Sequence, residues 1–243
     1  MNYKRFLYAA DSHGDLICPT AVKKLLNFQK EWKPHYTIHG GDLWDFAALR
    51  NGAGQDEKAH GIGEDFDAGM RFLEELKPNY LTLGNHDDRI WLTTAKMADG
   101  ILRERCQELA TAAERRFKQL KIEAIPYHVS KFLQMPEGGP KLIHGFHSGV
   151  NPAKMHYERY GPCIHGHDHA PGEYTARHID GSQAFSVGCI GDIDKMSYAN
   201  RFTAKLGWRQ GFLYGYINTR TGAWKAWNVT NDNGDWLSPM GIL

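Results

Sequence analysis

Short apolar runs and amphipathic stretches take turns along the first half of the chain. Residues 5–10 form an apolar run of strand length, and residues 21–32 put Val22, Leu25, Leu26 and Phe28 on one side of a helix. A second strand is predicted over 36–39. A helix follows over 66–76, where Met70, Leu73 and Leu76 repeat at helical spacing, and a third strand over 80–83. This β-α-β-α-β rhythm predicts a parallel or mixed sheet with helices packed on it.

Between about 96 and 121 the apolar positions Leu102, Cys106, Leu109, Ala113, Phe117 and Leu120 mark a long amphipathic helix. It is read as a helical insertion packed on the body of the domain; a cap over the site and a dimer contact are the alternatives. Arg115, Arg116, Lys118 and Lys121 on it read as a solvated face. The second half predicts strands over 122–125 and 141–143, a helix near 152–160, and strands over 163–164, 173–179 and 184–187. Two more, over 212–218 and 223–229, flank the hairpin turn Thr219-Arg220-Thr221-Gly222. The Gly-, Ala- and charge-rich residues 47–64 predict a mobile loop. With no repeat or long linker, residues 1–243 read as a single α/β domain, two sheets packed face to face between helices.

Charge and cysteine usage narrow the class. Lysine plus arginine number 29 against 28 acidic residues, so no global field draws the chain to nucleic acid or an anionic membrane, and any basic contact surface is local. No apolar run is long enough to span a bilayer, and the first one is too short for a signal peptide. The four cysteines are scattered and read as reduced thiols, which makes the expected location cytoplasmic. The thirteen histidines stand out, because several lie where strands end.

They fall in five ordered polar blocks: Asp11-Ser12-His13, Gly41-Asp42-Leu43-Trp44-Asp45, Gly84-Asn85-His86-Asp87, His144-Gly145 and Gly166-His167-Asp168-His169. Most follow directly on a predicted strand, where α/β folds carry their chemistry. Asp11, His13, Asp42, Asn85, His144, His167 and His169 offer imidazole nitrogen, carboxylate and amide oxygen and no thiolate. That set suits Mn²⁺, Fe, Zn²⁺, Co²⁺ or Ni²⁺ and argues against a structural cysteine-type zinc site. Seven ligands exceed what one open catalytic ion needs and suit two, which together clamp a transferring phosphoryl group and hold a hydroxide in line with the leaving oxygen. Asp42 is the expected bridge. In Asp11-Ser12-His13 and His167-Asp168-His169 an extended backbone would turn both outer side chains to one side.

This ordered set resembles the calcineurin-like metallophosphoesterase superfamily, over residues 11–169. The resemblance implies a four-layer α/β/β/α sandwich with two mixed sheets, the metallo-dependent phosphatase fold. It places Asp11, His13, Asp42 and His169 on a first ion and Asp42, Asn85, His144 and His167 on a second, with Mn²⁺ the first expectation. It makes His86 the non-ligand histidine that assists the leaving group and Asp45 the carboxylate that orients it. Phe46 stands where the Ser/Thr protein-phosphatase branch has a phosphate-gripping arginine, and Asp87 where that branch has glutamate. Both departures point to the phosphodiesterase and nuclease branch, and Gly84-Asn85-His86-Asp87-Asp88-Arg89 also resembles phosphoesterases of phage or prophage type. The last block carries Asp168 where threonine is commoner; its side chain is expected to face away from the metals.

The reading is therefore a metal-dependent phosphoesterase acting on a phosphodiester, a nucleotide or nucleic acid. A phosphomonoesterase, including a protein phosphatase, is the alternative, and a non-catalytic metal-binding module a further one. Arg89, His39 and His147 are candidate substrate contacts: Arg89 against a surface salt bridge with Asp87 or Asp88, His147 also as rival to His144. His39 and His165 read first as packed strand residues. Tyr127, His128, His178 and Trp208 are candidates to stack on a base or sugar.

Overall fold

A computed structural model describes residues 2–96, 99–177, 181–196 and 207–242. Its strands are β1 (Tyr3–Ala9), β2 (Tyr36–His39), β3 (Tyr80–Thr82), β4 (Glu123–Ile125), β5 (Leu133–Gln134), β6 (Lys141–Leu142), β7 (Cys163–His165), β8 (Gly172–Thr175), β9 (Gln183–Ser186), β10 (Gly211–Asn218), β11 (Trp224–Asp232), β12 (Asp235–Ser238) and β13 (Gly241–Ile242). Its helices are α1 (Pro19–Trp32), α2 (Gln55–Lys58), α3 (Ile62–Leu76), α4 (Arg89–Lys96), α5 (Gly100–Leu120) and α6 (Pro152–Tyr160).

Two mixed sheets result, in the orders β13-β12-β11-β10-β1-β2-β3-β4 and β5-β6-β7-β9-β8. In the larger, β1 to β4 run parallel, and β10 pairs antiparallel with β1 through Tyr3↔Asn218 to Tyr8↔Leu213. β1 shows why the sheets stack. Its alternating side chains are apolar on both faces, so Leu7 and Ala9 enter one core and Phe6, Tyr8 and Ala10 the other. The first core lies between the large sheet and α1, α3 and α5; the second, with Ile38, Ile164, Phe185 and Leu213, lies between the sheets. Tyr160 of α6 covers the outer side of the small sheet at Cys163 and Ala184. The four layers are α/β/β/α, as the motifs imply.

Local chemistry sets the helix ends. Pro19 opens α1, where its fixed φ and missing N–H cost nothing, and Lys33 closes it in the left-handed region at φ 48°. Asp99 caps α5 by accepting from Leu102 N–H at 3.1 Å. The apolar face of α5 (Cys106, Leu109, Ala113, Phe117) is buried in the core that also holds Trp44 and Ile90.

Several elements differ from expectation. Residues 47–64, read as loop, contain a 3-10 turn at Ala47–Leu49 and the short α2, with Arg50 and Glu57 paired across them. α3 starts four residues before the apolar repeat signals it, because Gly63, Glu64 and Asp65 supply a polar first turn. α4 and β5 were not expected: α4 buries only Ile90 and Thr93, and β5 is two residues long. β11 continues to Asp232 and hairpins into β12 and β13, which at four and two residues are too short to show a pattern. The strand expected over 173–179 ends at Thr175; residues 178–180, including His178, lie outside the described residues.

Trp44 anchors the Gly-Asp-x-x-Asp loop. It is fully buried, stacks on Phe66 at 5.2 Å, and donates its indole N–H to Phe66 O at 3.0 Å. Trp44→Ala should lower the unfolding free energy by about 3–5 kcal/mol, the cost of removing a buried large aromatic side chain. Urea titration measures it, and a shift under about 1 kcal/mol would contradict this anchoring role.

Candidate metal centre

The β1 and β2 loops are stapled along their length. Asp11, His13 and Gly14 donate backbone N–H groups to Gly41, Asp42 and Leu43 carbonyls at 2.9, 3.0 and 2.8 Å. Asp11, His13, Asp42, His167 and His169 all have φ between 48° and 76°. This corrects the extended backbone expected of the two Asp/His-x-His blocks. The side chains converge because left-handed turns fold each loop back over the strand ends, a conformation residues other than glycine adopt at a cost. Two glycines make room for carboxylates instead of turning. A Cβ on Gly84 would lie 2.1 Å from Asp42 Oδ1, and one on Gly166 2.3 Å from Asp11 Oδ2.

Two ligand groups follow the motif assignment, each with its ligand atoms within 4.8 Å of one another: Asp11, His13 and His169, and Asp42, His144 and His167; His13, Asp45 and His86 form a third by the same spacing. In the first, His13 Nε2 lies 3.1 Å from His169 Nε2, and His169 Nε2 lies 3.5 Å from Asp11 Oδ1. In the second, His144 Nε2 is 3.2 Å from Asp42 Oδ2 and 3.1 Å from Asn85 Oδ1, and His167 Nδ1 is 2.9 Å from the same Asn85 oxygen. His144 Nδ1 donates to Gly40 O at 2.9 Å, which turns Nε2 toward the site. His147 is not in either group: its ring lies beside His156.

The donor set fits divalent cations. Lone pairs of carboxylate, amide and imidazole point at one another in both groups, and such convergence needs positive charge between them. Burial opposes charge on His144, yet the facing Asp42 carboxylate outweighs it and lifts the ring to about 9. Burial likewise opposes charge on Asp42, but His144 and its neighbours hold the carboxyl well below the usual range. His167 is driven down to about 3, by burial and then by His144, and is held as the neutral ring a metal ligand requires.

Asp45 links this centre to His86. Its Oδ1 accepts from His13 Nδ1 at 3.1 Å and from His86 Nδ1 at 2.7 Å. With Nδ1 so engaged, His86 Nε2 faces Asp42 Oδ2 at 3.9 Å, and the His86 backbone N–H donates to Asp42 Oδ1 at 2.9 Å. Burial opposes the charge of Asp45, but its hydrogen bonds to His13 and His86 lower its pKa.

The other expected contacts part company here. His39 is corrected: it is fully buried, its Nδ1 accepts from Gly41 N–H, its Nε2 bonds Ser12 Oγ, and no face reaches a substrate. It is instead a strut beneath the two loops. His165 is equally buried and donates from Nδ1 to Gly166 O. Arg89 is tied through Nη1 to the carbonyls of Asp45 and Phe46, and forms no salt bridge with Asp87 or Asp88 among the described residues. Asp168 lines the same cleft as Asp42, and both its carboxylate oxygens are buried without a hydrogen-bond partner. That cleft, of about 510 Å³, is also lined by His86, His167, His169, Val150 and Trp208. Trp208 sits 4.3 Å from the His169 ring, whereas Tyr127 stacks on Phe146, away from the cleft wall. Two acids outside the expected ligand set support the loops. Asp87 accepts from Trp44 and Gly84 N–H groups, and Asp65 from those of Asp45 and Phe46.

Vacuolar Protein Sorting 29 from Cryptosporidium parvum aligns over 100% of this chain and 99% of its own, with 14% identity and a TM-score of 0.53. The fold is that of the metallo-dependent phosphatases. A phosphatase from Mycoplasma pneumoniae (12% identity, 96% of this chain and 95% of its own, TM-score 0.45) and the phosphoesterase Yfce from E. coli (16%, 94% and 100%, 0.42) align more loosely. No protein-family model and no curated protein sequence matches the chain. Within this metallo-dependent phosphatase fold, the two ligand groups and His86 sit at the loops that follow β1, β2, β3, β6 and β7. Among the described residues no helix is long and apolar enough to cross a membrane.

Proposed function

We propose that this chain is a binuclear metal-dependent phosphoesterase that hydrolyses a phosphodiester, a nucleotide or nucleic acid. The observation that carries the reading is the junction at Asp45, which joins His13 of the first ligand group to His86, a cleft histidine grouped only with Asp45 and His13. Asp11, His13, Asp42 and His169 would hold one ion, and Asp42, Asn85, His144 and His167 the other. Two divalent ions, Mn²⁺ first among them, supply positive charge at the phosphoryl oxygens and activate water near neutral pH. The protein does the rest. The buried carboxylates and rings would hold the ions at the wall of the cleft, and Asp45 fixes the His86 ring so that a proton on Nε2 faces the leaving oxygen.

Two features favour a diester. The described residues lining the cleft include no lysine or arginine, so no fixed side-chain cation meets the extra charge of a monoester dianion. Trp208 offers the flat apolar surface on which a base stacks. The four free cysteines accord with a reducing compartment such as the cytoplasm.

The test compares bis-p-nitrophenyl phosphate with p-nitrophenyl phosphate in Mn²⁺, with Asp42→Asn as the blank. Faster diester hydrolysis is expected. Faster monoester hydrolysis would reverse the substrate reading, and silence on both with two metals bound would favour the non-catalytic alternative.

A further inference from the structure

Asp65 lies on the first turn of α3 and is only 5% exposed. Its oxygens accept the backbone N–H groups of Asp45, at 3.2 Å, and Phe46. Phe46 is left-handed at φ 45°, so these two bonds hold a turn that a non-glycine residue adopts only under constraint. On its other side Asp65 fills the space beside Gly14, at φ +53°, where a Cβ would lie 1.5 Å from Asp65 Oδ1. One carboxylate from a helix is thus wedged between the loop that carries Asp11 and His13 and the turn that carries Asp45.

Stability does not explain this acid. Among the described residues no cation pairs with it, and Asp15, Asp45, His60 and Lys195 share the small cavity of about 60 Å³ beside it. Burial pushes its carboxyl up to about 7 against the pull of the two backbone N–H groups. A buried acid without a counter-charge costs the fold free energy. What it does supply is one acceptor to the N–H of Asp45, the residue that grips His86, and one to the N–H of Phe46 beside it.

We infer that Asp65 is a positioning residue: it fixes the Asp45 turn and, through Asp45, the orientation of His86. The inference rests on the phosphodiesterase reading for its kinetic arm alone. Asparagine at this position offers one acceptor oxygen and turns an N–H toward the second backbone donor. In metal-loaded full-length Asp65→Asn, kcat should fall about 10–100-fold, the scale of misplacing a reacting group by under about 1 Å. KM and bound metal should stay at parental values. By NMR, the low-field Nδ1 proton that His86 shares with Asp45, assigned by its loss in His86→Ala, should shift or broaden. Should Asp65→Asn fail to fold, Asp65→Glu keeps both acceptors one methylene out of place and carries the same expectations. An unshifted His86 proton with kcat within about twofold of the parent overturns the inference, as does a kcat loss matched by metal loss. If the parent hydrolyses no phosphate ester, the functional reading fails while the NMR arm still decides the role of Asp65.

Discussion

Asp42→Asn should abolish turnover and strip metal from the protein. Asp42 faces His144 with Oδ2 at 3.2 Å and accepts the His86 backbone N–H with Oδ1. The amide keeps an oxygen for the His86 N–H and presents its NH₂ to His144 Nε2, which occupies a lone pair that the ligand group needs. The charge that holds both ions together is also gone. Metal-assisted charge stabilisation is worth several kcal/mol in a phosphoryl-transfer transition state, so the loss should be on the order of 10³-fold or more. Atomic absorption on the purified variant should show less than the parental metal content, with an unchanged far-ultraviolet circular dichroism spectrum. Appreciable turnover by pure, metal-loaded Asp42→Asn would sink the two-ion mechanism.

His86→Ala should behave in the opposite way toward metal. Its ring groups only with His13 and Asp45, both of which keep their mutual bond without it, and its backbone N–H, which orients Asp42, survives the substitution. Asp45 keeps its bond to His13 and so keeps that ligand in place. Metal content should therefore match the parent while kcat falls roughly 10²–10⁴-fold, the range for a general acid. The deficit should grow with the basicity of the leaving group, since a good leaving group needs no proton. A series of aryl phosphodiesters read at constant metal occupancy checks this. Metal loss in the variant, or a deficit independent of the leaving group, would assign His86 a different role.

Much of this was legible because it is local. Apolar alternation marks β1 and β2, helical spacing marks α1, α3 and α5, and polar blocks at strand ends mark the ligand residues. Asp11, His13, Asp42, His144, His167 and His169 from those blocks cluster in space, whereas the His147 ring lies beside His156. What was not legible depends on partners distant in sequence. His39 shares the Ile-His-Gly context of His165 and of His144, and only packing shows that Ser12 and Gly41 consume its ring. Arg89 belongs to the backbone of Asp45 and Phe46 across more than forty residues. Asp65 carries no motif: an aspartate in the first turn of a helix is ordinary until the Phe46 turn is seen against it.

By itself, the sequence determined which residue types are present for metal chemistry, their order, and the layered α/β architecture, because periodicity and motif spacing are properties of the chain. The tertiary structure alone decided how those residues meet. Left-handed turns at Asp11, His13, Asp42, His167 and His169 bring the ligands together, where an extended backbone was expected. Such turns are costly in isolation, so they persist only where stapled loops, close glycine contacts and buried carboxylates hold them, and these are contacts between segments that no local pattern records.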